Sequence, residues 1–288
     1  KCDWSSDVCS SDLNPGGGKS WSLVALGAYA VQAGFNVIHY TWELGESYVG
    51  RRYDSYFTQI PVNKITKFKD KVGDATSLLP GELIIKEYPM GKASISTIEA
   101  HIKKCIDLDF KPDLIIIDYV DLLSSKRNNR ERKDEIDDIY TSTKGLAREL
   151  KLPIWSVSQV NRAGAKDSII EGDKAAGSYD KMMIADFAIS LSRQKKDKVN
   201  GTGRFHIMKN RYGMDGLTFN AKVDTSTGHI EFLNQLSEDD EDDITPSSKP
   251  NKMSGDFDNL DREYLEIGRA HVWTPVTLES RMPSSAWK

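Results

Sequence analysis

The chain has 288 residues, 39% hydrophobic and 28% charged, with a formal net charge of −4. That is enough apolar material for a domain with a sizeable core, and the sequence holds no apolar run long enough to span a bilayer. The cysteines, Cys2, Cys9 and Cys105, suggest no disulfide framework and fit a reducing cytosol.

The two ends are related through the genetic code. Glu266–Val272 written as GAG ATC GGA AGA GCA CAC GTC has a reverse complement that reads Asp-Val-Cys-Ser-Ser-Asp-Leu, which is Asp7–Leu13. The match runs outward to Lys1 and Leu278, with Trp273 opposite Ser6 taken from TGA. One piece of DNA has been read in both directions, as in sequencing-adapter read-through, so residues 1–13 and 266–288 are set apart from fold reasoning as scar. Cys105 is then the one remaining cysteine, a buried structural thiol in a predicted helix. The charge also divides: residues 14–236 carry about +4 and the tail 237–265 about −7 by formal counting. A mildly basic core permits a polyanionic partner without demanding one.

Strands and helices alternate through the core. An Ala-rich helix is predicted over Ser20–Ala33, ended by Gly34, and a strand over Asn36–Trp42. A helix carrying Tyr48, Arg52, Tyr56 and Phe57 follows, then a strand Leu83–Tyr88, a helix Ile95–Leu108 and a fully buried strand Asp113–Asp118. Glu131–Leu150 has apolar residues at helical spacing, and Pro153–Ser158 and Phe187–Ser192 read as buried strands. Continuous Ile/Leu/Val runs between helices indicate a mostly parallel sheet covered on both faces. After Arg193 the pattern changes to antiparallel strands, Gly203–Met208, Leu217–Val223 and His229–Phe232, with Gly-containing turns. The polar tail beginning SEDDEDD is expected to be disordered.

Asn14-Pro15-Gly16-Gly17-Gly18-Lys19-Ser20 matches the end of the P-loop pattern G-x-x-x-x-G-K-[ST]. Glycines let backbone N–H groups turn toward a β-phosphate at the positive end of a helix; Lys19 would reach the β- and γ-phosphates, and the Ser20 hydroxyl would ligate Mg²⁺. Leu13 stands where the motif's opening Gly belongs, and the strand that should precede it is scar, so this copy is expected to bind nucleotide poorly. Asp118 ends an apolar strand, as a carboxylate that holds Mg²⁺ through water must. Glu43 follows the strand Asn36–Trp42 and could polarise an attacking water, and Gln159 ends the strand after Pro153. Lys209 and Arg211, spaced by one residue, would project the same way from a strand and suit a transferring phosphoryl group. Taken singly, each of these residues also has a structural explanation.

P-loop, Thr-Trp-Glu-Leu, Ile-Ile-Ile-Asp-Tyr, Ser-Val-Ser-Gln-Val-Asn-Arg and Lys-Asn-Arg-Tyr-Gly occur in the order and spacing of the RecA-like motor domain of DnaB-type replicative helicases. The resemblance covers about residues 14–234 and looks like a phage member. It implies a RecA-like P-loop fold whose first strand is missing here, with an antiparallel edge. It assigns Glu43 as catalytic base, Arg52 to the same nucleotide-site motif, Asp118 to Mg²⁺ and Gln159 as γ-phosphate sensor. Lys209 and Arg211 would act in trans, on ATP held by the neighbouring subunit of a homohexameric ring. Single-stranded DNA would be held in the channel by the loop 161–177, with Arg162, Lys166, Lys174 and Gly177, and by the basic run 126–133. Lys174-Ala175-Ala176-Gly177 stands where the family commonly has Arg-Glu-Ser-Gly. Primase and a helicase loader are further partners the resemblance implies, with the host cytoplasm as location and a primase-interacting N-terminal domain lost by truncation. Two other readings stand beside it: a RecA-type recombinase or circadian-type ATPase, and a non-hydrolysing loader or scaffold.

Overall fold

The computed structural model describes residues 8–13, 18–124, 132–159 and 183–236. In chain order the elements are β1 (Val8–Leu13), α1 (Lys19–Gln32), β2 (Val37–Thr41), α2 (Glu46–Thr58), α3 (Lys69–Ser77), β3 (Leu83–Glu87), α4 (Ile95–Asp107), β4 (Leu114–Asp118), α5 (Arg132–Leu150), β5 (Ile154–Gln159), β6 (Phe187–Ser192), α6 (Lys195–Asn200), β7 (Thr202–Asn210), β8 (Thr218–Val223) and β9 (Ile230–Gln235). They build one sheet in the order β3-β2-β4-β5-β1-β6-β7-β8-β9. β3 through β6 in that order are parallel, and β7, β8 and β9 continue the sheet antiparallel.

The central strand β4 is apolar at successive positions because both faces are covered. Side chains alternate across a strand, so Ile115 and Ile117 of β4 pack with Ile98, Ile102 and Cys105 of α4 and with Ile139 and Tyr140 of α5. Leu114 and Ile116 turn to the other face and meet Leu23 and Val31 of α1. The cysteine expectation holds: the Cys105 thiol is buried, and burial raises it to about 11. α1 approaches the sheet closely because its middle is small. A Cβ on Gly27 would lie 2.9 Å from Ile116 and would collide with the Tyr53 hydroxyl of α2. That hydroxyl shares a 2.8 Å hydrogen bond with His39 Nδ1, whose pKa burial, then Arg52, lowers to about 3.

Three expectations change. The first strand is present rather than missing: Val8–Leu13 lies between β5 and β6, with Leu13 opposite both Gln159 and Leu191. A parallel ladder is made by backbone N–H and C=O groups, so an ordinary Val-Cys-Ser-Ser-Asp-Leu run can fill the slot whatever its origin. α3 and α6 are additional helices. α3 buries no residue, and α6 is a short Lys-rich segment closed by a Gln194–Asp197 capping box, so neither carries an apolar stripe to read. β7 ends at Asn210, which puts Arg211 one residue past the strand, although its backbone N–H still donates to the Asp186 carbonyl at 2.9 Å.

Candidate active site

The carboxyl ends of β4, β5 and β1 lie side by side, so the residues leaving them share one edge of the sheet, the usual ligand-binding edge of a parallel α/β fold. Gly18 has φ 105°, a left-handed conformation that suits glycine, and it caps α1. α1 has neither a side-chain cap nor an acidic residue in its first turn. Its leading N–H groups and the positive end of its dipole are therefore unclaimed by the helix's own side chains, the arrangement an anion site requires. Lys19 and Ser20 follow at once, with Lys19 Nζ 5.6 Å from the centre of the Tyr119 ring. Asn14, Pro15, Gly16 and Gly17 lie outside the described residues.

Asp118 closes β4 and is 1% exposed. The Ser20 hydroxyl hydrogen-bonds to it, while its Oδ2 atom is buried with no hydrogen-bond partner among the described residues. Burial raises the Asp118 carboxyl and Glu43 adds to that; Ser20, Arg52 and Lys19 pull the other way. Among the described residues no group of three or more His, Cys, Asp or Glu could enclose a metal. One hydroxyl and one unpartnered carboxylate oxygen nevertheless suit a hard divalent cation that takes its other ligands from phosphate and water. Glu43 sits on the turn just past β2. Thr41 of β2 is in register with Asp118, the Trp42 N–H donates to the Asp118 carbonyl at 3.2 Å, and Thr41 Oγ1 donates to the Leu44 carbonyl at 2.9 Å. That turn leaves Glu43 exposed and close enough to influence both Asp118 and Arg52.

Arg52 reaches this group from α2. Its guanidinium lies over the Trp21 ring at 4.7 Å and the Tyr48 ring at 5.1 Å, and its buried Nε and Nη1 atoms have no hydrogen-bond partner among the described residues. Burial lowers its pKa, opposed by Tyr48, Asp118 and Glu43. The aromatic stack and a hydrogen bond to Tyr48 compensate part of the lost hydration and leave Nε and Nη1 unused. Trp21 is held in turn by the β8–β9 turn: a Cβ on Gly228, at φ 88°, would come within 2.8 Å of its ring.

Lys209 and Arg211 belong to the opposite edge. β6 runs parallel to β1, with Cys9 opposite Phe187 and Leu13 opposite Leu191. β7 runs back, so its last residue, Asn210, is opposite Phe187. The two cations are thus about four residues, on the order of 13 Å, along the sheet from where the P-loop leaves β1. Lys209 Nζ donates to the Met183 carbonyl at 2.9 Å, and Arg211 Nη1 pairs with Asp186 Oδ1 at 2.6 Å. Burial, then Arg211, lowers the Lys209 pKa.

The structure therefore brings Lys19, Ser20, Glu43, Arg52 and Asp118 together and holds Lys209 and Arg211 apart from them. Gln159 ends β5 beside Leu13 by its backbone. Arg162, Lys166, Lys174 and Gly177, and the basic run before α5, lie outside the described residues. Sequence reading passed over Trp21, Asp186 and Arg193. Arg193 follows β6, donates from Nε to the Thr202 carbonyl at 2.9 Å and stands 3.7 Å from a Cβ built on Gly18. Only the position of Trp21, next to Ser20, could have signalled its place.

Comparison with known proteins agrees with this layout. The family of the DnaB-like helicase C-terminal domain matches residues 13–225. The chain is 25% identical over 214 residues to the DnaB-like replicative helicase of Enterobacteria phage T4, covering 68% of this chain and 44% of that protein. It is 27% identical over 140 residues to the replicative DNA helicase DnaB of Leifsonia xyli subsp. xyli, covering 47% of this chain and 30% of that one. It thus spans less than half the length of these relatives. A solved DnaB-like replicative helicase, determined with its interactions with primase, has the same fold at a TM-score of 0.70 and 20% identity, over 80% of this chain and 60% of that one. The match over most of its length, on the strands and helices that carry the site, places this chain in the DnaB-like helicase C-terminal domain family.

Proposed function

We propose that residues 14–236 are the motor of an ATP-dependent replicative DNA helicase, a homohexameric ring that translocates on single-stranded DNA and hydrolyses ATP between subunits. On this reading residues 1–13 and 266–288 are adapter-derived, 237–265 form an acidic tail, and the ring works in the host cytoplasm with primase and a loader. One observation carries the proposal. A buried Asp118 with an unpartnered oxygen, hydrogen-bonded to Ser20, faces the uncapped start of α1, while the Lys209/Arg211 pair is at the other edge of the same sheet.

The residues divide the work accordingly. The α1 N-terminus and Lys19 hold the β- and γ-phosphates of ATP. Ser20 and Asp118 would hold Mg²⁺, which supplies charge neutralisation across the phosphates. Glu43, exposed at the mouth, takes a proton from the attacking water, and Gln159 senses the γ-phosphate. Arg52 orients Glu43 and Asp118 by its charge. Lys209 and Arg211 cannot reach their own subunit's nucleotide across the sheet, so they stabilise charge on the neighbour's. Arg162, Lys166, Lys174 and Gly177 contact DNA phosphates, which makes binding salt-sensitive and tolerant of sequence.

The test is ATP turnover with and without single-stranded DNA, together with electron microscopy in ATP, on the chain carrying Leu13→Gly, which restores the opening glycine of the P-loop. Stimulated turnover and closed rings are expected. Filaments would point to a recombinase-like assembly, and absence of both basal and stimulated turnover would sink the helicase reading in favour of a scaffold.

A further inference from the structure

Asp186 lies just before β6 and is 1% exposed, yet its carboxylate meets two cations. Lys144 of α5 pairs with Oδ2, and Arg211 Nη1 pairs with Oδ1 at 2.6 Å. The Arg211 N–H also donates to the Asp186 carbonyl at 2.9 Å, so one residue grips Arg211 by backbone and by side chain. The Arg211 side chain is still 46% exposed. With Nη1 engaged, the fork of the guanidinium keeps Nε and Nη2 for a second acceptor.

We infer that Asp186 and Lys144 form a cradle that presents Arg211 to the triphosphate of the neighbouring subunit, with Asp186 as a positioning residue for the reaction in trans. The inference rests on the trans reading of Arg211 above. An exposed arginine loses side-chain freedom when it engages a phosphate, and a partner that fixes it beforehand moves that loss out of the catalytic step. A buried carboxylate served by one cation would be left uncompensated if that cation turned away, at a high cost. Lys144, much less exposed than Arg211, keeps Asp186 compensated while Arg211 shifts toward phosphate. The two cations on one carboxylate thus have different tasks. Lys144 holds the charge, and Arg211 is held by it.

The cradle can be separated from a merely structural ion pair because its effect falls on another subunit's site. In Asp186→Asn, binding of a fluorescent ATP analogue is expected to match wild type while the maximal DNA-stimulated turnover falls about tenfold with little change in KM. Mixing with Glu43→Gln subunits, whose own sites are inactive but whose fingers are intact, should raise turnover per Asp186→Asn subunit. If Asp186 serves only its own fold, that mixing leaves turnover flat or lowers it, and the inference is overturned; wild-type turnover in Asp186→Asn overturns it equally. Asp186→Glu, which keeps the charge but displaces the carboxylate by one methylene, replaces it should Asp186→Asn not fold, with the same loss and the same rescue expected. Arg211→Ala run in parallel keeps the two failures apart. Full activity there, or no rescue by Glu43→Gln, defeats the trans reading itself.

Discussion

On the parallel side of the sheet, Asp118 is buried with one carboxylate oxygen unpartnered among the described residues, and half-buried Arg52 has two buried donor atoms likewise unpartnered. On the antiparallel side, Asp186 and Asp197 are as deeply buried, and each carries a guanidinium: Arg211 on Asp186, and Arg204 on Asp197 at 3.0 Å. Both sides have removed charge from water, which is costly without compensation. The difference lies in where the compensation comes from. Beside β7 the chain supplies it, so the charges are structural or hold another side chain in place. Beside the P-loop the hydrogen-bonding capacity is left over, which is the condition of a site completed by something else.

The comparison predicts opposite outcomes for similar substitutions. Asp197→Ala should have the largest effect, a loss of about 3–5 kcal/mol of stability, because it breaks a buried ion pair with Arg204 and removes the acceptor that caps α6. Urea denaturation measures it, and a loss below about 1 kcal/mol would show that the antiparallel side is not held by its ion pairs. Asp118→Asn should do the reverse. Turnover is expected to fall about 100-fold or more, since the amide is a poor partner for a divalent ion. The fold should gain roughly 1 kcal/mol, because the desolvated carboxylate is gone. A variant that lost both activity and stability would mean that Asp118 is satisfied within the chain after all.

How much of this could be read from sequence follows the same division. β4 was legible because its unbroken Leu-Ile-Ile-Ile run reports burial on both faces, β2 and β6 because mostly apolar short runs alternate with helical patterns, and the P-loop and Asp118 because their chemistry is local in the chain. Asp186 was not legible, since an acidic residue before a strand is ordinarily a solvated one. What makes it different is Lys144, 42 positions earlier on α5, and Arg211, 25 positions later, which only the sheet order brings together. The same limit applied to Trp21, whose partners are Arg52 on the next helix and Gly228 in the last hairpin. α3 and α6 escaped for another reason: they carry no core stripe.

Trp21 lets the parallel side be probed without touching a proposed catalytic group. Trp21→Leu keeps apolar bulk against Gly228 but removes one aromatic face from Arg52. The stack is worth about 1–2 kcal/mol in a desolvated setting, so turnover should fall roughly five- to twentyfold. The melting temperature should move by only a few degrees. If turnover is unchanged, the stack is packing and Arg52 is oriented by something else.

The smallest effect tests whether the parallel side tolerates desolvated acids away from the phosphate site too. Asp54 lies on α2, two residues past Arg52, and burial raises its carboxyl from the ordinary 3.8 to about 6. A folded-state value above the unfolded one means that the folded chain favours the neutral acid. That advantage is fully present below 3.8 and is lost as the pH rises through about 6. Asp54 is partly open to solvent, so the full linkage is discounted to about 1 kcal/mol. Asp54→Asn, which keeps the shape without the charge, should therefore stabilise the fold by about that amount at pH 7 and by almost nothing near pH 4. Denaturation of both proteins at the two pH values gives the double difference directly. An equal gain at both would assign the effect to hydrogen bonding by the amide. No gain at either would mean that Asp54 finds a compensating partner, as Asp186 and Asp197 do on the other side.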